Sequence, residues 1–268
     1  MLNIPFQESA TLAHKVILVT GAGAGIGEQI AVDCAKRGAQ VILLGRTVGK
    51  LERTYDLITE EQEKIQQAMG VYYEPAIYPL DLAGANDTDY KELAEIIQKQ
   101  YKCLDGLVHN AAILGNLSPL KMYVPQQWYK VIQTNLNAVF MLTQACTEIL
   151  EKSTNASVIF TSTGVAEEPQ AFWGAYAISK AASDYFMKIM AIENQDISNI
   201  RANSFSPGAV ATRMRANAFP GEKPCSIPQT HDIAPYYAQL LSDHTKHING
   251  EIITKEDFTD APPIETCC

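Results

Sequence analysis

Short aliphatic runs recur along the chain, and between them lie longer stretches in which apolar side chains return every third or fourth position. The first pattern predicts strands buried on both faces, the second helices with one apolar stripe. Strands are expected at 15–19 (KVILV), 40–44 (QVILL), 76–80 (AIYPL), 105–109 (DGLVH), 157–160 (SVIF), 200–205 (IRANSF) and 251–254 (EIIT). Helices are expected near 26–37, 48–69, 88–101, 126–151, 175–194 and 231–243. The first ends well, because Lys36 and Arg37 suit the negative helix end and Gly38 supplies a left-handed stop. Strand and helix in strict alternation predict one α/β domain over residues 1–268, a doubly wound parallel sheet of seven strands covered by helices. In such a sheet a ligand sits at the carboxyl ends of the strands, where strand order reverses.

Composition narrows the partners. The 268 residues are 47% hydrophobic, yet no run approaches the roughly 18 continuous apolar residues of a membrane span. The start, MLNIPFQESATLAHK, lacks the charged and apolar regions of a signal peptide, so a soluble cytoplasmic protein is expected. A net charge of −9 disfavours nucleic acid and anionic membranes, which need clustered positive charge. The cysteines (Cys34, Cys103, Cys146, Cys225, Cys267 and Cys268) show no metal-like spacing and read as reduced thiols, with the last pair an exposed end. No metal site is expected.

The stretch TGAGAGIG (20–27) joins the first strand to the first helix. The strict G-x-G-x-x-G pattern fits in no register; Gly21-x-x-x-Gly25-x-Gly27 does, with Gly23 and Ile26 between. Helix N-termini carry unsatisfied N–H groups and a positive dipole end, so a loop this open predicts a pyrophosphate against its backbone. The second strand then decides which dinucleotide. An acid at its end would accept the ribose hydroxyls of NAD, but LLGRT ends in Arg46, which suits a 2′-phosphate and favours NADP(H) over NAD(H). Ala24 offers no second cation.

Further on, Tyr176 and Lys180 stand at i and i+4 near the start of a helix and share one face. A phenol with a pKa of about 10 is a poor acid-base group at neutral pH, and an adjacent ammonium lowers it. Together with the glycine loop, Asp81 and Leu82 in LDL, Asn110-Ala111-Ala112 in HNAA, Asn135 in QTNLNAVF, the hydroxyls of TST and SPGAVAT at 206–212, this chain resembles the classical short-chain dehydrogenase/reductase family. The resemblance covers residues 14–254, and the wording of several segments is similar to a bacterial subgroup labelled oxoacyl-(acyl carrier protein) reductases.

The resemblance implies a Rossmann fold and hydride transfer between a nicotinamide and a carbonyl or secondary alcohol, in the reductive direction. Tyr176 would donate the proton, Lys180 would lower its pKa and bond the ribose, and Asn135 would position a water. Asp81 would meet the adenine; Pro207 and Gly208 would shape the nicotinamide wall, Thr212 would lie near the phosphates or the carboxamide, and Val210 would also contact the cofactor. The substrate-orienting hydroxyl is Thr163 by spacing and Ser162 by residue type. His109 replaces the family's first Asn and reads mainly as a packed strand-end residue, and Glu167 and Glu168 as an exposed loop. Residues 209–230 resemble a substrate lid in which Arg213 and Arg215 face solvent, the cofactor or an acidic partner. Phe172, Trp173, Met214 and Phe219 are candidates for an apolar pocket. Val139, Phe140, Phe186 and Met187 give two helices a second apolar side, which predicts a homodimer or homotetramer. Two other readings stand beside this one: an NAD-dependent alcohol dehydrogenase, and a dinucleotide-binding regulator without turnover.

Overall fold

The computed structural model describes residues 2–264. All seven expected strands form: β2 (Val16–Thr20), β3 (Gln40–Gly45), β4 (Ala76–Pro79), β5 (Gly106–His109), β6 (Ala156–Thr161), β7 (Ile200–Ser206) and β8 (Ile252–Thr254). They make one parallel sheet in the order β4-β3-β2-β5-β6-β7-β8. Strand order reverses between β2 and β5, and the crevice lies there. A short parallel pair that the aliphatic pattern did not reveal, β1 (Ile4–Pro5) with β9 (Phe258–Thr259), ties the start of the chain to its end. Phe6, Tyr236 and Phe258 pack edge to face around it, with centroids 5.1–6.2 Å apart.

Alternation along each strand builds two cores. Ile17, Val19 and Leu43 face one layer, made by α1 (Gly25–Lys36), α2 (Val48–Thr59), α3 (Gln62–Met69) and α10 (Thr230–Leu241). Leu18, Leu44 and Leu107 face the other, made by α4 (Asp87–Tyr101), α6 (Ala138–Leu150) and α8 (Gly174–Asn194). Each fully buried aliphatic side chain contributes about 1.5–3 kcal/mol, so both strand faces hold the sheet between its helices. Among the described residues no helix is long and apolar enough to cross a membrane.

Two expected helices are interrupted. The segment 48–69 breaks between α2 and α3, where the Thr59 hydroxyl turns back onto the Asp56 carbonyl at 2.9 Å. Ile58 and Ile65 are nevertheless both buried, so the two halves keep one face. The segment 126–151 divides into α5 (Pro125–Ile132), a π-turn at Gln133–Asn137 and α6. That wide turn points Thr134 and Asn135 inward. Short helices α7 (Gly164–Glu167) and α9 (Arg213–Ala218) complete the chain, α9 lying within the predicted lid.

Of the four residues expected on a second apolar side, Val139 and Met187 are buried in the core instead, and Phe186 packs against it. The sheet-facing stripe of each helix is wider than its period suggests. Phe140 is half-exposed, and the other exposed apolar residues of α8 are Ile178, Tyr185, Ile189 and Ile192. The Cys267–Cys268 pair lies outside the described residues.

Candidate active site

The carboxyl ends of β2, β3, β5, β6 and β7 open into a cleft of about 420 Å³. At one end stands the glycine loop. Gly21 has φ +70° and Gly25 φ +61°, left-handed conformations that glycine adopts without strain. Ala24, the N-cap of α1, has no capping side chain, and Glu28 in the first turn is paired with Arg53. The first-turn N–H groups are therefore left for an anion, and the cradle fits a pyrophosphate. Thr20 fixes the neighbouring loop: its hydroxyl accepts from the Asn110 and Ala111 N–H groups at 2.9 and 3.0 Å and donates to Val108 O at 3.0 Å.

Gly21, Gly23, Gly25, Ile26, Arg46, Asp81, Leu82, Asn110, Ala111, Ala112, Pro207, Gly208, Val210 and Thr212 all line this cleft. Gly27 does not. A Cβ there would stand 2.4 Å from Gly21 O and 2.5 Å from Asn110 Nδ2, so this glycine lets α1 close onto the loop rather than touching a ligand. Two residues join Arg46 that the sequence reading passed over, Thr47 and Lys50. The hydroxyl of Thr47 makes no cap bond, and the first turn of α2 holds no acid. The signal was available, since Lys50 is one helical turn beyond Arg46.

At the other end of the cleft Tyr176, Lys180, Thr163 and Ser162 come together. Burial pushes the Tyr176 phenol up to about 12, and the Thr163 hydroxyl beside it works in the opposite direction. Lys180 is lowered to about 8, also by burial, while Asp184 one turn further along α8 raises it. Its ammonium donates to Thr161 O at 2.6 Å. The lowering expected from Lys180 by spacing is not among the causes acting on the phenol: burial raises it, and the opposing contribution comes from Thr163.

The two hydroxyls of TST have different partners. Ser162 donates to Asp184 Oδ2 at 2.5 Å, and Ser204 donates to Asp184 Oδ1 at 2.6 Å. Thr163 is the extended N-cap of α7, makes no cap bond and faces Tyr176. Geometry therefore brings Thr163 to the phenol and commits Ser162 to the acid behind it. Asp184 is buried, and its carboxyl is raised chiefly by that burial. It lies eight residues after Tyr176, a third member of the same helical face.

Asn135 is fully engaged: Oδ1 accepts from Ile113 N–H at 2.9 Å, and Nδ2 donates to Ile113 O at 3.0 Å and Ser179 Oγ at 3.1 Å. Its backbone carbonyl takes the Ser183 hydroxyl at 3.0 Å. Asn135 clamps the loop after β5 to α8 and does not line the cleft. The neighbouring Thr134 does, with its buried hydroxyl unpartnered. His109 is buried, with Nε2 2.8 Å from the Thr143 hydroxyl and its ring 5.0 Å from Phe160. Because Thr143 itself donates to Val139 O at 2.7 Å, Nε2 carries the proton. Burial holds this imidazole down at about 3, neutral at ordinary pH.

Trp173 and Met214 line the cleft beside Tyr176. The Phe219 ring lies tilted against Trp173 with centroids 5.8 Å apart, and Phe172 is exposed, outside the lining, with φ +77°. Glu167 and Glu168 stand outside the lining.

A family model described as short chain dehydrogenase matches residues 15–223. The uncharacterized oxidoreductase YciK of Escherichia coli K12 is 41% identical over 239 residues, 89% of this chain and 90% of that one. NADPH-dependent aldehyde reductase 2, chloroplastic, of Arabidopsis thaliana is 29% identical over 254 residues, 90% of this chain and 92% of that one. A short chain dehydrogenase from Escherichia coli CFT073, solved complexed with NADPH, superposes with a TM-score of 0.84 at 39% identity, covering 92% of this chain and 99% of that one.

Proposed function

The chain belongs to the short chain dehydrogenase family, and from that premise we propose that it is an NADP(H)-dependent oxidoreductase that reduces a carbonyl to an alcohol. One observation carries this reading: a single cleft has the glycine cradle with Arg46 at one end and Tyr176, Thr163 and Lys180 at the other. The relatives whose names or structures carry NADPH point the same way.

A nicotinamide cofactor supplies the hydride when bound. The chain's own residues do the rest. Arg46, with Lys50 beside it, meets a 2′-phosphate through charge-assisted hydrogen bonds, and the glycine-loop N–H groups receive the pyrophosphate. Thr163 donates to the substrate carbonyl oxygen and fixes its distance from Tyr176 Oη. Tyr176, kept protonated by burial, delivers its proton to that oxygen. Lys180 steadies the resulting phenolate, and Asn135, by clamping the loop after β5, acts as a positioning residue.

The described cysteines Cys34, Cys103, Cys146 and Cys225 are free thiols, which suits a reducing cytoplasm. The exposed apolar residues of α8 form a contiguous stripe suited to a second copy of the chain, so a homodimer or homotetramer belongs to this proposal.

The test is calorimetric binding of NADPH and NADH to wild type and Arg46→Ala, followed by NADPH oxidation with a carbonyl panel. NADPH is expected to bind at least about tenfold tighter, equivalent to 1.4 kcal/mol, with the preference lost on substitution. Equal or tighter NADH binding overturns the cofactor assignment. Tyr176→Phe is expected to lower turnover by about 10²–10⁴ while still binding NADPH; unchanged turnover overturns the acid assignment.

A further inference from the structure

Beyond the cofactor, the cleft ends against Tyr176 in a wall of apolar side chains. Leu114, Trp173 and Met214 pack with Tyr176 and Val165 in a small core of their own, and Leu114, Trp173, Met214 and Ala218 line the cleft. Trp173 lies 5.9 Å from the Tyr176 ring, centroid to centroid, so its indole borders the place where the reacting carbon must sit.

The lid cation nearest this wall is already paired. Arg215 is the cation of the lid that reaches this wall, and it is held bidentately by Glu222, Nε to Oε2 and Nη2 to Oε1 each at 2.6 Å. The same guanidinium lies 3.7 Å over the Phe219 ring, and Phe219 in turn lies tilted against Trp173. Two partners therefore compete with any substrate anion for Arg215. Arg213 also lines the cleft, and it follows Thr212, whose Cγ2 stands 3.6 Å from a Cβ placed on Gly25, so its backbone lies by the glycine loop. Lys180 is turned onto Thr161 O. Beside this wall the cleft presents the neutral hydroxyls of Tyr176, Thr163 and Thr134.

We infer that the substrate of this site is an uncharged, apolar ketone or aldehyde, alkyl or aryl, whose body lies on Trp173 and Met214, and that a keto acid is disfavoured because Arg215, the cation against that wall, is already paired with Glu222. A carboxylate on that wall loses its hydration without gaining a partner. The inference rests on the reading of the cleft as a carbonyl reductase site.

The experiment compares matched pairs under NADPH at neutral pH: acetophenone against 4-acetylbenzoate, and 2-octanone against 7-oxooctanoate. The neutral member is expected to show at least about tenfold higher kcat/KM in both pairs, the equivalent of 1.4 kcal/mol. A smaller preference, parity or a preference for the acid overturns the inference and leaves the reductase reading standing. Glu222→Gln, which releases Arg215, is expected to narrow the ratio at least about threefold by raising the acid's kcat/KM; an unchanged ratio overturns the role given to the ion pair. Trp173→Ala is expected to lower kcat/KM for acetophenone with NADPH affinity retained, and undiminished turnover overturns the placement of the aryl group. Should no carbonyl be reduced, the reductase reading fails. The inference is then decided by calorimetry with 1-phenylethanol and 4-(1-hydroxyethyl)benzoate: tighter binding of the neutral alcohol supports it, and the reverse, equality or no binding overturns it.

Discussion

Asp184 shows how far single residues could be read. In sequence it is one acid among many; in the fold it accepts from Ser162 and Ser204 and raises the pKa of Lys180. Asp184→Asn removes that charge, so Lys180 loses its proton at a lower pH than its present value near 8. The alkaline fall of kcat/KM is therefore expected to begin at lower pH in the variant, as a pH profile would show, and an unmoved profile would remove Asp184 from the site's electrostatics. His109 gives a second test. Its folded-state pKa of about 3 lies below the ordinary imidazole value of 6.5, so its contribution to stability is full above pH 6.5 and is lost as pH falls toward 3. Between pH 7 and 5 that loss is on the order of 2 kcal/mol. His109→Asn is expected to shrink the drop in urea midpoint between pH 7 and pH 5, whatever its stability at pH 7. Tyr176 and Lys180 were legible because their chemistry follows from residue type and helical spacing. Choosing Thr163 over Ser162 was not, because both hydroxyls sit on one turn and only the packing of α8 against β6 and β7 decides which meets the phenol.

At the scale of elements, two glycines with opposite duties separate close approach from mere flexibility. Gly27→Ala forces a methyl into Gly21 O, at an overpacking cost of about 1–3 kcal/mol, and displaces the loop proposed to meet the cofactor. Lower melting temperature and weaker NADPH binding are expected together; a variant that melts and binds as wild type would contradict the close approach. Gly49→Ala, in α2 with only Glu52 Oε2 near the added methyl at 3.8 Å, is expected to stabilise by about 0.5–1 kcal/mol, measured by denaturant unfolding. Element existence was readable from period throughout. The break at Thr59 and the π-turn at Gln133–Asn137 were not, because apolar spacing continues through both: Ile58 and Ile65 stay on one side, and the π-turn keeps the chain helical while rotating Asn135 toward Ile113.

For the molecule as a whole, the apolar residues left exposed on α8 are expected to be covered by a second copy. Light scattering of wild type should report a dimer or tetramer, and replacing Tyr185 and Ile192 with Asp should give a smaller species; a monomeric wild type would remove this expectation. The chain's sequence by itself determined the seven strands, their covering helices and parallel order, because periodicity and right-handed crossovers leave few other arrangements. It also pointed to the candidate cradle and to the i, i+4 spacing of Tyr176 and Lys180, which are local patterns. Tertiary structure alone decided which hydroxyl faces the phenol, that Asn135 clamps a loop, that Val139 and Met187 are core, that Glu222 neutralises Arg215, and that β1 meets β9. Each of these depends on residues distant in sequence meeting in space, where burial and competition for hydrogen bonds assign partners that no local pattern encodes.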